Sequence, residues 1–328
     1  MKTPAFWYKN TPTPLAQFLT PLSALYKTIS RHHQSKASSV HMDIPVLCVG
    51  NLVAGGSGKT PVAIALSKLL HAHHISQSAA FLTRGYGGNV RGPEAVNSAN
   101  PDPQMWGDEA LLLAHHAPTI VAKDRAAGAK YAEDTGADLI ILDDGLQNYS
   151  LVKDISFCVV DGFSGFGNRQ VLPAGPLRQP LEDGFKGIDA CILIGDDTRN
   201  VRKDIPDHIQ IFSARLVPKN LDDLPDSVSY FAFCGIGVPD KFRKTLLDHS
   251  FNIIGFYDFP DHHPYTLHDL SGLVQQALDH NARLITTEKD FVRLPEFPQK
   301  TMIDVLSVDV VFDAPDDVAA FIKGKLGR

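Results

Sequence analysis

The run VLCVGNLVAGGSGKTPVAIALSKLL, residues 46–70, constrains this chain more than any other. An apolar strand-like stretch enters a glycine-rich turn, and a run with helical period follows from Lys59. Glycines at 55, 56 and 58 let backbone amides approach an anion closely, and the following helix N-terminus adds partial positive charge. The backbone of Val53, Ala54, Gly55, Gly56, Ser57 and Gly58 then cradles the phosphates of a nucleoside triphosphate. Lys59 reaches the β- and γ-phosphates, and Thr60 offers its hydroxyl to magnesium. Pro61 suits a first helical turn, where its missing amide costs little. Position 53 is valine where the general pattern has glycine, but strand before and helix after are the context the motif requires.

Such a loop sits beyond the carboxyl end of a strand in a parallel sheet. Candidate strands at 44–51, 78–85, 119–124, 138–144, 155–161, 189–195 and 208–216 are nearly continuous apolar runs separated by helix-length segments. That alternation predicts an α/β fold, P-loop NTPase-like, with a mostly parallel sheet covered by helices. The strand LIILDDGLQN ends in Asp143 and Asp144, adjacent acids that repel each other unless a cation sits between them, with Gln147 in the same loop. A polar stretch over 217–229 reads as a connector. Strands at 230–237, 251–259, 282–288 and 301–312, with helices near 239–249 and 266–280, follow it. The expected division is an N-terminal amphipathic segment (1–40), a phosphate-binding core (41–220) and a smaller α/β unit (221–328), in keeping with 328 residues.

A formal charge of −6 offers nucleic acid no general attraction. Cys48, Cys158, Cys191 and Cys234 all lie in apolar runs without CxxC spacing, which excludes a thiolate zinc site and favours a reducing interior. No secretory signal is expected, and no run nears the roughly 20 apolar residues that span a bilayer. In residues 5–31, however, Leu15, Phe18, Leu22, Leu25, Tyr26 and Ile29 recur at helical spacing among aromatic and basic neighbours. That stripe suits either the protein's own core or a membrane interface.

Four further groups carry chemistry. Asp108 and Glu109 open a helix in GDEALLLA, as dipole partners or as site acids. Arg125 in KDRAAG and Arg178 in LPAGPLRQP suit bidentate stabilisation of a transferring phosphoryl group or simple surface positions. His262 and His263 occupy a turn, FPDHHPYT, after a strand of the second unit.

Taken in order, VGNLVAGGSGKTP, TRGYGG, GDEA, KDR, LDDGLQN, LPAGPLRQP, DHHPY and TTEKD resemble the tetraacyldisaccharide 4'-kinase family, the lipid A 4'-kinases of Gram-negative bacteria. The resemblance implies ATP- and Mg²⁺-dependent phosphorylation of the 4'-hydroxyl of an acylated glucosamine disaccharide 1-phosphate lipid, giving lipid IVA. It also implies peripheral attachment to the cytoplasmic face of the inner membrane. Carried across, Lys59 and Thr60 are the phosphate-loop pair, and Asp108 is the base or orienting carboxylate for the acceptor. Glu109, Asp143 and Asp144 lie near the metal, and Gln147 joins the nucleotide-binding residues. His262 partners Asp108, while Arg125 and Arg178 contact phosphate. The chain has GDEA, LDDGLQN and LRQP where GDEP, a histidine after the glutamine, and LREP are common. Under this implication the N-terminal stripe becomes a membrane-interface helix. A P-loop ATPase or GTPase switch acting on a membrane or protein partner is the main rival, and a small-molecule kinase or ligase is another; neither calls for both the acceptor acids and a lipid-facing helix.

Overall fold

The structure is a computed structural model that describes residues 4–9, 11, 13–36, 38–99, 101–225 and 227–327, with side chains 32–36 outside the description. Residues 1–3, 10, 12 and 37 of the expected 1–40 segment, and residue 226 of the expected connector, therefore lie outside the described residues.

The apolar runs form strands β1 (Val46–Gly50), β2 (Ala79–Thr83), β3 (Glu94–Ala95), β4 (Thr119–Val121), β5 (Leu139–Asp143), β6 (Ile155–Asp161), β7 (Ala190–Ile194) and β8 (Gln210–Pro218). Strands β9 (Ser229–Cys234), β10 (Asn252–Asp258), β11 (Ala282–Thr287), β12 (Ile303–Leu306) and β13 (Val308–Phe312) follow. Among the described residues the large sheet runs β13-β8-β7-β6-β1-β5-β2-β4-β3 and a small sheet runs β10-β9-β11-β12. Only the edge pairs β13–β8 and β3–β4 are antiparallel.

The helices are α1 (Pro14–Lys36), α2 (Lys59–Ala72), α3 (Pro103–Trp106), α4 (Asp108–Ala114), α5 (Arg125–Asp134), α6 (Leu181–Gly184), α7 (Pro239–Asp248), α8 (Leu267–Asp279), α9 (Glu288–Phe291) and α10 (Pro315–Leu326). The central strands β1, β5, β6 and β7 are buried along their whole length because both faces are covered, whereas β3 and β8, at or next to the sheet edges, carry exposed polar residues. Leu47, Val49, Ile141 and Phe157 meet α2 and α10 on one face, while Val46, Cys48, Ile140 and Leu142 meet α5 on the other. All four cysteines are buried.

Two expectations change. The run 301–312 is two strands, not one: Ser307 accepts from the Lys219 amide at 3.0 Å, and Asn220 Oδ1 accepts from the Ser307 amide at 2.9 Å. Asn220 Nδ2 also donates to Val305 O at 2.8 Å, so the chain is handed from the small sheet to the large one at Ser307. The second unit therefore does not extend over 221–328. After β12 the chain returns to the large sheet, because Val318, Ala319 and Ile322 of α10 complete the apolar cover beside α2. Part of the expected connector is likewise strand, since β8 continues to Pro218.

Helix α1 buries its small residues rather than its apolar stripe. Ala16 and Ser23 are covered, and Ser23 Oγ donates to Val171 O at 2.8 Å and accepts from the Ala174 amide at 3.2 Å. The stripe faces away: Phe18 is 79% exposed, and Leu15, Leu22, Leu25 and Ile29 are each at least half exposed. No described helix is long and apolar enough to cross a membrane.

Candidate active site

The phosphate loop leaves β1 and turns into α2 through Gly58, whose φ of 84° lies in the left-handed region that favours glycine. A Cβ there would also stand 2.7 Å from Ile194 Cδ1. Asn51 Nδ2 donates to Ser57 Oγ at 2.6 Å and ties the two ends of the loop together. The departure at Val53 has a packing reason. Its side chain is buried in the core, its backbone bridges Leu177, and the neighbouring Ala54 amide donates to Pro176 O at 2.7 Å. The Arg178 amide donates to Leu52 O at 2.9 Å, so the loop carrying Arg178 is stitched along the phosphate loop.

Thr60 Oγ1 donates to Asp143 Oδ2 at 3.1 Å, joining the start of α2 to the end of β5. Asp143 is buried, and its Oδ1 has no partner. Burial, with repulsion from Glu109 and Asp144, pushes its carboxyl up to about 7. Asp144 has a left-handed φ of 53°, and its two oxygens meet Arg178 at 2.9 and 3.0 Å, with Lys59 Nζ at 3.6 Å. Desolvation opposes ionisation of Asp144, but Lys59 and Arg178 outweigh it and hold the carboxyl below its usual range. Arg178 also donates to Gln147 Oε1 at 3.0 Å, and Gln147 Nε2 donates to Asn51 O at 2.9 Å. Gln147 thus supports the loop and its arginine.

The second set of acids meets residues of the small sheet. His262 Nδ1 lies 3.0 Å from Asp108 Oδ2, across 154 residues of sequence. His262 holds a left-handed φ of 57°, and its ring meets Tyr86 edge-on at 5.1 Å between centroids. His263 turns the other way, to Asp269 at 3.2 Å and onto Phe259, so of the two histidines His262 faces the cleft. Asp108 is buried. Burial alone would raise its carboxyl, but His262, Lys289 and Arg293 overcome that and lower it.

Lys289, at the start of α9, reaches Glu109 Oε1 at 3.2 Å and His262 Nε2 at 3.3 Å. Arg293 Nε stands 3.5 Å from Asp108 Oδ2, and its other end is held by Asp290. Asp290 is fully buried and also accepts from the Gly235 amide and the Tyr265 hydroxyl, each at 2.8 Å. Sequence reasoning quoted TTEKD but gave Lys289, Asp290 and Arg293 no part. For Lys289 and Asp290 the signal was that string, Arg293 lies just beyond it, and the acids that Lys289 and Arg293 meet, Glu109 and Asp108, lie some 180 positions away.

Phosphate loop and acids face one cleft of about 480 Å³, lined by Lys59, Thr60, Glu109, Arg178, His262 and Lys289 among others. At its mouth Gly56 touches Gly237 of the small unit. Arg125 was expected to contact phosphate, and, like Asp108 and Asp143, it does not line that cleft. It begins α5 rather than ending a strand and is buried with its guanidinium on Ala122 O. Burial, with Arg84 nearby, lowers its guanidinium to about 10 despite Asp144 and Asp143. It therefore adds positive field behind the acids without reaching the cleft.

The family described as Tetraacyldisaccharide-1-P 4'-kinase matches residues 15–327. A tetraacyldisaccharide 4'-kinase of Paramagnetospirillum magneticum is 44% identical over 316 residues, covering 96% of each chain. One from Rhodospirillum rubrum is 42% identical over 319 residues, covering 96% of this chain and 95% of its own. Among solved structures, LpxK from Aquifex aeolicus, an "apo" form in complex with ATP, superposes with a TM-score of 0.72 at 25% identity, covering 95% of this chain and 99% of that one.

Proposed function

We propose a mechanism on one premise: this chain belongs to the tetraacyldisaccharide-1-P 4'-kinase family. It is an ATP-dependent kinase of lipid A biosynthesis that phosphorylates the 4'-hydroxyl of tetraacyldisaccharide 1-phosphate to give lipid IVA. The observation that carries the mechanism is the contact between Asp108, at the start of α4, and His262, in the turn after β10 of the small unit.

Gly55–Thr60 and Lys59 bind the triphosphate tail, as helix N-terminus and ammonium both favour. Arg178, fixed on Asp144, holds its positive charge toward the transferring group. His262, oriented by Asp108, accepts the 4'-hydroxyl proton as that oxygen bonds the γ-phosphorus and the bond to the β–γ bridging oxygen breaks. A switch ATPase has no use for this acceptor pair.

The residues fit magnesium. Asp143 Oδ1 is buried without a partner, its neighbouring oxygen meets Thr60, and one carboxylate and a hydroxyl beside phosphate oxygens suit this ion. The described residues contain no cluster of three or more His, Cys, Asp or Glu able to hold a metal by themselves. We assign Thr60 and Asp143 as its holders, with Asp144 committed to Lys59 and Arg178 and Glu109 to Lys289. When bound, the ion offsets charge on the phosphates.

The exposed stripe on α1 supports a peripheral position in the membrane plane, where an acylated acceptor resides, and ATP supply favours the cytoplasmic face. Incubation with γ-labelled ATP and the acylated disaccharide 1-phosphate tests the reading. Label should appear on the sugar with the wild type and be lost with Asp108→Ala and with Lys59→Ala. Undiminished transfer by Asp108→Ala would remove the dyad from the mechanism.

A further inference from the structure

Among the described residues, Lys289 is the one cation in the cleft wall that touches both halves of the acceptor machinery. Its Nζ lies 3.2 Å from Glu109 Oε1, 4.0 Å from Asp108 Oδ2, 3.9 Å from Asp261 Oδ1 and 3.3 Å from His262 Nε2. An ammonium only donates, so the nitrogen it meets must carry the lone pair. The other ring nitrogen, Nδ1, then carries the hydrogen and donates to Asp108 Oδ2 at 3.0 Å. Burial opposes the charge on Lys289, but Glu109, Asp108 and Asp261 outweigh it, so the side chain stays an ammonium.

We propose that Lys289 is a positioning residue for phosphoryl transfer: it holds His262 as the neutral imidazole with hydrogen on Nδ1 and a bare Nε2 aimed at the acceptor subsite. The inference rests on the reading of His262 as the proton acceptor. Every charged group facing the ring bears on this state. Asp108 and Glu109 of α4 and Asp261 beside the ring are acidic, Lys289 and Arg293 are cationic, and Tyr86 presents an uncharged ring. Without Lys289, Nε2 loses its donor while Asp261 Oδ1, 3.8 Å away, remains as an acceptor, so the ring is free to carry its hydrogen there. With Lys289, the ammonium donates to Glu109 at 3.2 Å, stands 3.9 Å from Asp261, and guards the lone pair until a hydroxyl takes its place.

In the transfer step the acceptor O–H breaks, an N–H forms at Nε2, and Asp108 stabilises the resulting imidazolium. Lys289 neither gives nor takes a proton. Its charge repels that imidazolium and favours return of the proton to solvent after the product leaves. Lys289 stands on α9 of the small unit and Glu109 on α4 of the large one, so the arrangement exists only where the two units meet. The base is therefore set by the same apposition of the two units that pairs His262 with Asp108.

The test uses the full chain. With ¹⁵N-histidine label, the His262 signal is found by its loss in His262→Asn, and an unprotonated ring nitrogen resonates well downfield of a protonated one. Wild type should show a bare Nε2 and Lys289→Met a protonated one. In the kinase assay Lys289→Met should lower kcat about 10²-fold with KM for ATP little changed, and Lys289→Arg, which keeps the charge, should recover at least about tenfold of that loss. A protonated Nε2 in the wild type overturns the inference, as does a Lys289→Met enzyme whose defect is confined to KM for ATP. Since Lys289→Arg keeps the ion pairs, its failure to restore any kcat while matching the wild-type melting temperature overturns it too. Full kcat in His262→Asn, alongside a wild-type spectrum with a bare Nε2, overturns the reading of His262 as base instead, so the two failures are distinguishable.

Discussion

Asp143 sits fully buried with one oxygen on Thr60 and the other on nothing. An ordinary carboxyl ionises near about 3.9, and burial raises this one to about 7. Between these values the folded chain holds a proton that the unfolded chain has released, so stability falls as pH rises through that window and levels off above it. In magnesium-free buffer Asp143→Asn should therefore melt above the wild type at pH 8, by on the order of a few kcal/mol, with the gap closing towards pH 4. Calorimetry should also show wild type gaining stability from Mg²⁺ with ATP and the variant gaining far less. For Lys59→Ala, a loss of kcat of about 10²–10³-fold is expected from steady-state rates, the usual cost of removing a preorganised donor. Lys59, Thr60 and Asp143 were legible because a strand, a glycine turn and a helix start are local signals. Lys289 and Arg293 were not, because lysine and arginine in a short helical turn read as solvated charge until folding brings Asp108 and Glu109 to them. Arg125 misled for the complementary reason, since arginine after a strand end looks available and only packing reveals that it is enclosed.

At the scale of elements, α1 shows what periodicity carries and what it omits. The spacing of Leu15, Phe18, Leu22, Leu25 and Ile29 identifies a stripe, but which side the fold covers depends on the small residues Ala16 and Ser23 and their fit against residues 171–174. Each large apolar side chain moved from water into a lipid interface contributes about 1.5–3 kcal/mol when fully buried. Phe18→Gln with Leu22→Gln should therefore weaken sedimentation with anionic vesicles by at least about tenfold while changing the melting temperature little, because both side chains are more than half exposed. Strand 301–312 was misjudged because a continuous apolar run gives no sign of changing sheets. The sign was instead Asn220, a distant amide whose two hydrogen bonds mark the crossing at Ser307.

The whole molecule closes over its cleft through few and specific contacts. Gly56 meets Gly237, where a Cβ on the latter would come within 2.9 Å of the Gly56 amide nitrogen, and Lys241 pairs with buried Asp161 at 2.5 Å. Gly237→Ala should hold the units slightly apart and reduce kcat/KM by up to about 10²-fold, since displacement by an ångström at a reacting centre has that effect. Its melting temperature should stay close to that of wild type, a contrast that thermal shift and kinetics on one preparation would reveal. The parallel α/β class was legible from the alternation of apolar runs, whereas the return of the chain was not, because nothing local distinguishes β13 from a strand of the small sheet.

That return has its own mechanical meaning. The small sheet is a guest inserted in the loop of a larger host, and it hangs from two antiparallel threads, β8 and β13, side by side at the edge of the host sheet. A body suspended by two adjacent threads swings readily about one line and resists twisting about the others. Any change in the gap between His262 and Asp108 is then confined to rotation about that line, much as a gate meets its latch.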